Sequence, residues 1–100
     1  MVFVTVPDKK TADGIIKAVL KKRLAACVNV VKNIDSFYWW KGKIERSKEL
    51  LLIMKTVKSN FALLKRSVKD AHPYEVPEII SVEISEGSKE YLDWVKEYAG

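Results

Sequence analysis

The chain has little of what staples, metal clusters and cofactor loops are made from. One cysteine in 100 residues, Cys27, excludes an internal disulfide and any zinc site built from the cysteines of one chain. It also fits a reducing compartment. The four glycines, Gly14, Gly42, Gly87 and Gly100, never cluster, so no glycine-rich phosphate loop is present. No apolar run approaches the ~18 residues of a membrane span, and no membrane partner is expected. No basic stretch precedes the first strand, so a signal peptide is not expected and the cytoplasm is the default location. Only three of the 18 basic residues are arginine. Base reading leans on bidentate arginine, so a nucleic-acid partner is not expected either.

What is present is ordinary globular composition. Hydrophobic residues make up 48% and charged residues 31%, in a chain long enough for one domain, residues 1–100. The net charge of +5 is uneven. The first fifty residues carry 11 basic and 5 acidic side chains, the second fifty 7 and 8. The excess gathers at Lys9, Lys10, Lys17, Lys21, Lys22 and Arg23, the solvated face of a helix.

Periodicity orders the chain. Val2 to Val6 is nearly continuous and β-branched, a strand buried on both faces. Asp8 or Thr11 caps a helix in which Ala12, Ile15, Ile16 and Val19 recur on one side, with Gly14 expected at a close approach to the sheet. Cys27 to Val31 is a second strand whose extended reading runs on to Trp40. Lys41-Gly42 signals a tight turn, and a third strand follows, centred on Leu50 to Met54. Ser59 is expected to cap a second helix carrying Phe61, Leu64, Val68 and Ala71, and His72, preceding Pro73, falls outside it. Ile80, Val82 and Ile84 alternate as a fourth strand, and Tyr91, Leu92, Trp94, Val95 and Tyr98 mark a terminal helix. The order βαββαβ plus a C-terminal helix is the ferredoxin-like split βαβ pattern, an α+β antiparallel sheet. Its two most apolar strands, the first and third, belong at the centre.

Few residues can carry chemistry. Phe37-Tyr38-Trp39-Trp40 puts large aromatics on both faces of a strand, which suits a core or subunit interface, a ligand pocket or base stacking. His72-Pro73-Tyr74-Glu75-Val76-Pro77 is a stiff loop that presents an imidazole beside a carboxylate, donors for Cu(II), Zn(II) or Ni(II). Cys27 reads as a small buried hydrophobe. Glu45 and Glu49 read as surface partners of Lys43 and Lys55, the alternative being an acid–base dyad.

The blocks Arg23-Leu24-Ala25-Ala26-Cys27-Val28-Asn29, Tyr38-Trp39-Trp40-Lys41-Gly42-Lys43-Ile44-Glu45 and His72-Pro73-Tyr74-Glu75-Val76-Pro77-Glu78-Ile79 run in order along the chain. With Thr5-Val6-Pro7-Asp8, Lys55-Thr56 and Tyr91-Leu92-Asp93-Trp94, the sequence resembles the CutA divalent-cation-tolerance family over nearly its whole length. The resemblance implies a compact trimer akin to PII signalling proteins, divalent metal with Cu2+ favoured as ligand, and no catalysis. The loop chemistry makes His72 and Glu75 the expected metal-site residues, and Trp40, Lys55 and Tyr74 are the expected residues of an intersubunit ligand cleft. Some bacterial members carry a cysteine in the first strand and a histidine pair before Pro-Tyr. The matching positions here are Val4, Ala71 and His72, so only His72 is kept. Two rival readings are a PII-like trimer holding a small anionic metabolite near Lys55, and an RNA-binding sheet. The latter needs aromatics on the third strand, which reads Leu50-Leu51-Leu52-Ile53-Met54.

Packing alone also asks for partners. Leu51 and Ile53 face opposite to Leu50, Leu52 and Met54, and Phe3 opposite to Val2, Val4 and Val6, so both faces of the central strands are apolar. Two helices cover one face only. A homotrimer packed sheet to sheet, with the hairpin arms pairing across subunits, buries the other.

Overall fold

β-Branched and aliphatic residues at alternate positions build the centre of the sheet. Strand β1 (Val2–Val6) turns Val2, Val4 and Val6 inward, each essentially without solvent exposure. After Pro7 the side chain of Asp8 accepts the Thr11 amide at 2.8 Å and starts helix α1 (Lys9–Lys21), which turns Ala12, Ile15 and Val19 to the core. Strand β2 (Cys27–Trp40) and strand β3 (Lys43–Lys55) form the long hairpin. Lys41 and Gly42 join them, both at positive φ, as a two-residue turn that matches the strand twist. A 3-10 turn over Lys58–Asn60 leads into helix α2 (Phe61–Ala71). Strand β4 (Ile79–Ser81) and helix α3 (Lys89–Ala99) complete the chain. The computed structural model describes residues 1–100.

The sheet order is β2-β3-β1-β4, all antiparallel, with the first and third strands central as their apolar content requires. Helices α1 and α2 lie on one face. There Ile15, Val19, Leu64 and Val68 pack on Val2, Val4, Val6, Leu52 and Met54 in a single core. The opposite face carries Phe3, Thr5, Leu51 and Ile53, only half-buried. Arg23 donates to the carbonyls of Glu97 and Tyr98, and Asn60 to that of Ala99, which fastens α3 to the body of the domain.

The hairpin outruns the sheet. β1 pairs with β3 only as far as Val6 opposite Leu50. Beyond that the β2 and β3 segments pair with each other alone, a two-stranded arm in a molecule 44 Å along its longest axis. A β-bulge lies at its base: Val31 pairs with Leu51 but Ile34 with Glu49, so β2 gains one residue, with Asn33 at φ 57°. The extra residue reverses which β2 side chains face which side. Before it Cys27, Asn29 and Val31 share the half-buried face with Ile53 and Leu51; after it Ser36, Tyr38 and Trp40 do.

Four expectations need correction. Ser59 does not cap α2; it lies inside the 3-10 turn, and Asn60, the capping position, donates to Ala99 instead of closing the helix start. Gly14 marks no close approach: it is exposed, and apart from its chain neighbours and the backbone of its own helix nothing lies within 4 Å of the place a Cβ would take. The fourth strand stops at Ser81. Val82 still bonds Met1, but the neighbouring strand begins at Val2, so Ile84 has nothing to pair with. Cys27 is half-buried, not buried, and its thiol points to Asn29.

Candidate functional site

The arm, the end of β1 and the loop after α2 border a half-open cavity of about 760 Å³. Its walls explain how each part came to be there. The α-disfavouring position before Pro73 releases His72 from the helix in an extended conformation, φ −96° and ψ 132°. The ring then turns back under the loop. Its Nε2–H donates to the Thr5 carbonyl at 2.8 Å, and its Nδ1 accepts the Tyr74 amide at 3.2 Å. This geometry is that of the neutral ring with its proton on Nε2. His72 is 8% exposed and its ring lies 4.7 Å from that of Tyr74. Thr5 needs such a partner because β4 pairs with β1 only from Val2 to Val4.

Tyr74, positioned by His72, donates its hydroxyl to Glu49 Oε2 at 2.7 Å. Burial, then this bond to a carboxylate, push the phenol well above the usual tyrosine range. Glu49 is 5% exposed, makes no ion pair, and has one oxygen that no side chain or backbone group bonds; it borders this cavity and, on its other side, a smaller pocket with Lys9, Lys32 and Lys48. The reading of Glu49 as a surface partner of lysine is therefore corrected. Across the cavity Tyr38, turned to this side by the bulge, shares a 2.6 Å hydrogen bond with Ser47. The lining comprises the rings of Phe37, Tyr38, Trp39, Trp40 and Tyr74, the carboxyl groups of Glu49, Glu75 and Glu78, and Thr5, Ser36, Pro73 and Val76. It contains three carboxyl groups and no lysine, arginine or histidine. Lys41 sits 5.8 Å from the Trp40 ring and Arg46 5.5 Å from the Phe37 ring, outside that lining.

Of the five residues singled out in the sequence, the structure gathers Trp40, Tyr74 and Glu75 around this cavity. His72 stands behind its wall as a strut, not in the lining. Lys55 lies at the opposite end of the hairpin, pairing with Cys27 in register and donating to Asn29. A metal-ion fit fails within one chain. No three His, Cys, Asp or Glu side chains converge, and His72 uses both nitrogens on backbone groups. To ligate a metal the imidazole must release Thr5 or Tyr74. The sequence reading missed Glu49 as a site residue. Its one signal was a carboxylate directly ahead of the apolar run Leu50 to Met54.

Residues 1–98 match the family model described as CutA1 divalent ion tolerance protein. The chain is 48% identical over 100 residues to a divalent-cation tolerance protein CutA of Thermus thermophilus, covering all of this chain and 97% of that one. It is 47% identical over 95 residues to the human protein CutA, covering 95% of this chain but 53% of the human one, so it spans about half the length of that relative. Solved structures agree. The Thermus thermophilus divalent cation tolerance protein superposes with a TM-score of 0.96 at 48% identity, over 99% of this chain and 96% of that one. The rice CutA1 structure superposes at 0.95 and 42%, over 99% and 91%.

Proposed function

Because the chain belongs to the CutA1 divalent ion tolerance family, we propose that it acts as a non-enzymatic homotrimer that takes up a cationic ligand in a cleft beside each arm, next to the subunit interface. The observation that carries this reading is the cavity between the arm and the His72–Glu78 loop. Its lining holds three carboxyl groups and no basic side chain. Such a cavity attracts cations and repels anions. It favours a cation over the anionic metabolite of a PII-like regulator, for which Lys55 lies at the wrong end of the hairpin.

Three features support the trimer. The half-buried apolar face of Phe3, Leu51 and Ile53 has no second layer of helices along its length. The arm holds Phe37, Trp39 and Ile44 at 66%, 72% and 65% exposure, more apolar surface than a monomer keeps in water. Helix α3 adds a stripe of exposed rings, Tyr91, Trp94 and Tyr98, spaced 5.6 Å apart. Closed threefold packing covers these together. The single half-buried cysteine supports placing the protein in the cytoplasm.

A divalent ion entering the cleft meets carboxylate oxygens, Glu75 and Glu78 among them, and is held loosely as cargo. Cu(II) binds ahead of Zn(II) by the usual order for such donors. Titration calorimetry of the metal-stripped protein tests the reading. Micromolar to millimolar binding of Cu(II), weakened in Glu75→Gln, supports it. Binding of phosphate or ATP with no heat from either metal contradicts it.

A further inference from the structure

We propose that this cavity is a binding site for a small organic cation, an alkylated ammonium group seated against the aromatic walls with the free oxygen of Glu49 beneath it. The inference deepens the cationic-ligand reading above and rests on it.

Three observations carry it. The first is Glu49. A carboxylate 95% withdrawn from solvent is costly unless its oxygens are paired, and here Tyr74 serves only Oε2. No lysine or arginine forms a salt bridge with it, and the residue lies between this cavity and a smaller basic pocket bordered by Lys9, Lys32 and Lys48. The second is the wall. Tyr38, Trp40 and Tyr74 line one space, and ring quadrupoles attract a weakly hydrated cation within ~6 Å. The third is the mismatch with a metal. A bare divalent ion needs several convergent donors, and no three His, Cys, Asp or Glu side chains meet. At about 760 Å³ the cavity is also far larger than an ion and of the size that holds a small molecule. Aromatic walls contribute little to a hydrated metal ion. They do stabilise an alkylammonium, whose methyl groups pack on them while its charge faces Glu49.

Choline and 3,3-dimethyl-1-butanol test this, since the two differ in charge and hardly in shape. Butyrate serves as the anionic control. Quenching of tryptophan fluorescence is followed on the assembled protein, with its mass checked on the same sample. The expected result is saturable binding of choline, at least about tenfold weaker for the alcohol, and no binding of butyrate. Glu49→Gln keeps the acceptor for Tyr74 and loses the charge, so choline affinity falls roughly tenfold or more. Trp40→Leu, at a site outside the core, gives a similar loss and guards against a fold defect in the first variant. Equal binding of choline and the alcohol overturns the proposal. So does choline binding that both variants leave unchanged. If Cu(II) binds in the cleft and choline does not, this inference fails while the divalent-cation reading stands. If neither cation binds, both fail.

Discussion

Replacing His72 by alanine separates a strut from a metal ligand. The imidazole makes two hydrogen bonds to backbone groups, at 2.8 Å to the Thr5 carbonyl and 3.2 Å from the Tyr74 amide, in a position 8% exposed. Each such bond contributes about 1 kcal/mol net, and a polar group left without its partner costs roughly 1–3 kcal/mol. The ring also packs on Tyr74 at 4.7 Å. The substitution should therefore destabilise by about 2–4 kcal/mol, a large part of the 5–15 kcal/mol typical of a domain. With a urea dependence of about 2 kcal/mol per molar, the unfolding midpoint falls by about 1–2 M. Protein concentration must be held constant, because assembly adds to apparent stability. Release of Tyr74 also loosens its bond to Glu49, so cation binding in the cleft weakens moderately for Cu(II) and choline alike. A midpoint unchanged in His72→Ala, together with selective loss of Cu(II) affinity, would refute this reasoning. It would make the imidazole a ligand that moves away from Thr5.

Gly14→Ala should stabilise the protein by up to about 1 kcal/mol, since the site is an exposed helix interior with room for a Cβ. Thermal melts at one concentration check this, and a lower midpoint would mean an unrecognised contact. Asp8→Ala should destabilise at neutral pH, because the Thr11 amide holds the Asp8 carboxyl below its ordinary value of 3.8. That stabilisation is fully present above 3.8 and is lost as the pH falls through the depressed folded-state value. The difference between Asp8→Ala and wild type should thus vanish in strong acid, and a constant difference across the range would exclude the cap as its source.

Most of the fold is legible because periodicity and topology point the same way. Val2, Val4 and Val6 against Leu52 and Met54 specify one face of the sheet, and Ala12, Ile15 and Val19 the helix that covers it. The turn at Lys41-Gly42 follows from glycine's freedom at positive φ. The end of the fourth strand was not legible. Its alternation continues through Ile84, but a strand needs a neighbour, and β1 begins at Val2. Ser59 misled because a local cap and a 3-10 turn share the same residue types.

The site was legible in composition and not in arrangement. The aromatic quartet and the His72–Pro77 loop both contribute to the cavity. Which aromatics face Glu49 depends on one extra residue near Asn33, and no periodicity reveals a bulge. Likewise the sequence shows an imidazole beside a carboxylate, but not that both ring nitrogens are spent on Thr5 and Tyr74. Those partners come from tertiary contacts 67 residues apart and from a turn of the loop itself.

Sedimentation equilibrium at micromolar concentration tests the central claim most directly. The apolar sheet face, the exposed arm and the ring stripe on α3 predict a single species of three times 11.4 kDa, unaffected by moderate salt because the buried contacts are apolar. A well-behaved monomer near 11.4 kDa would contradict the account.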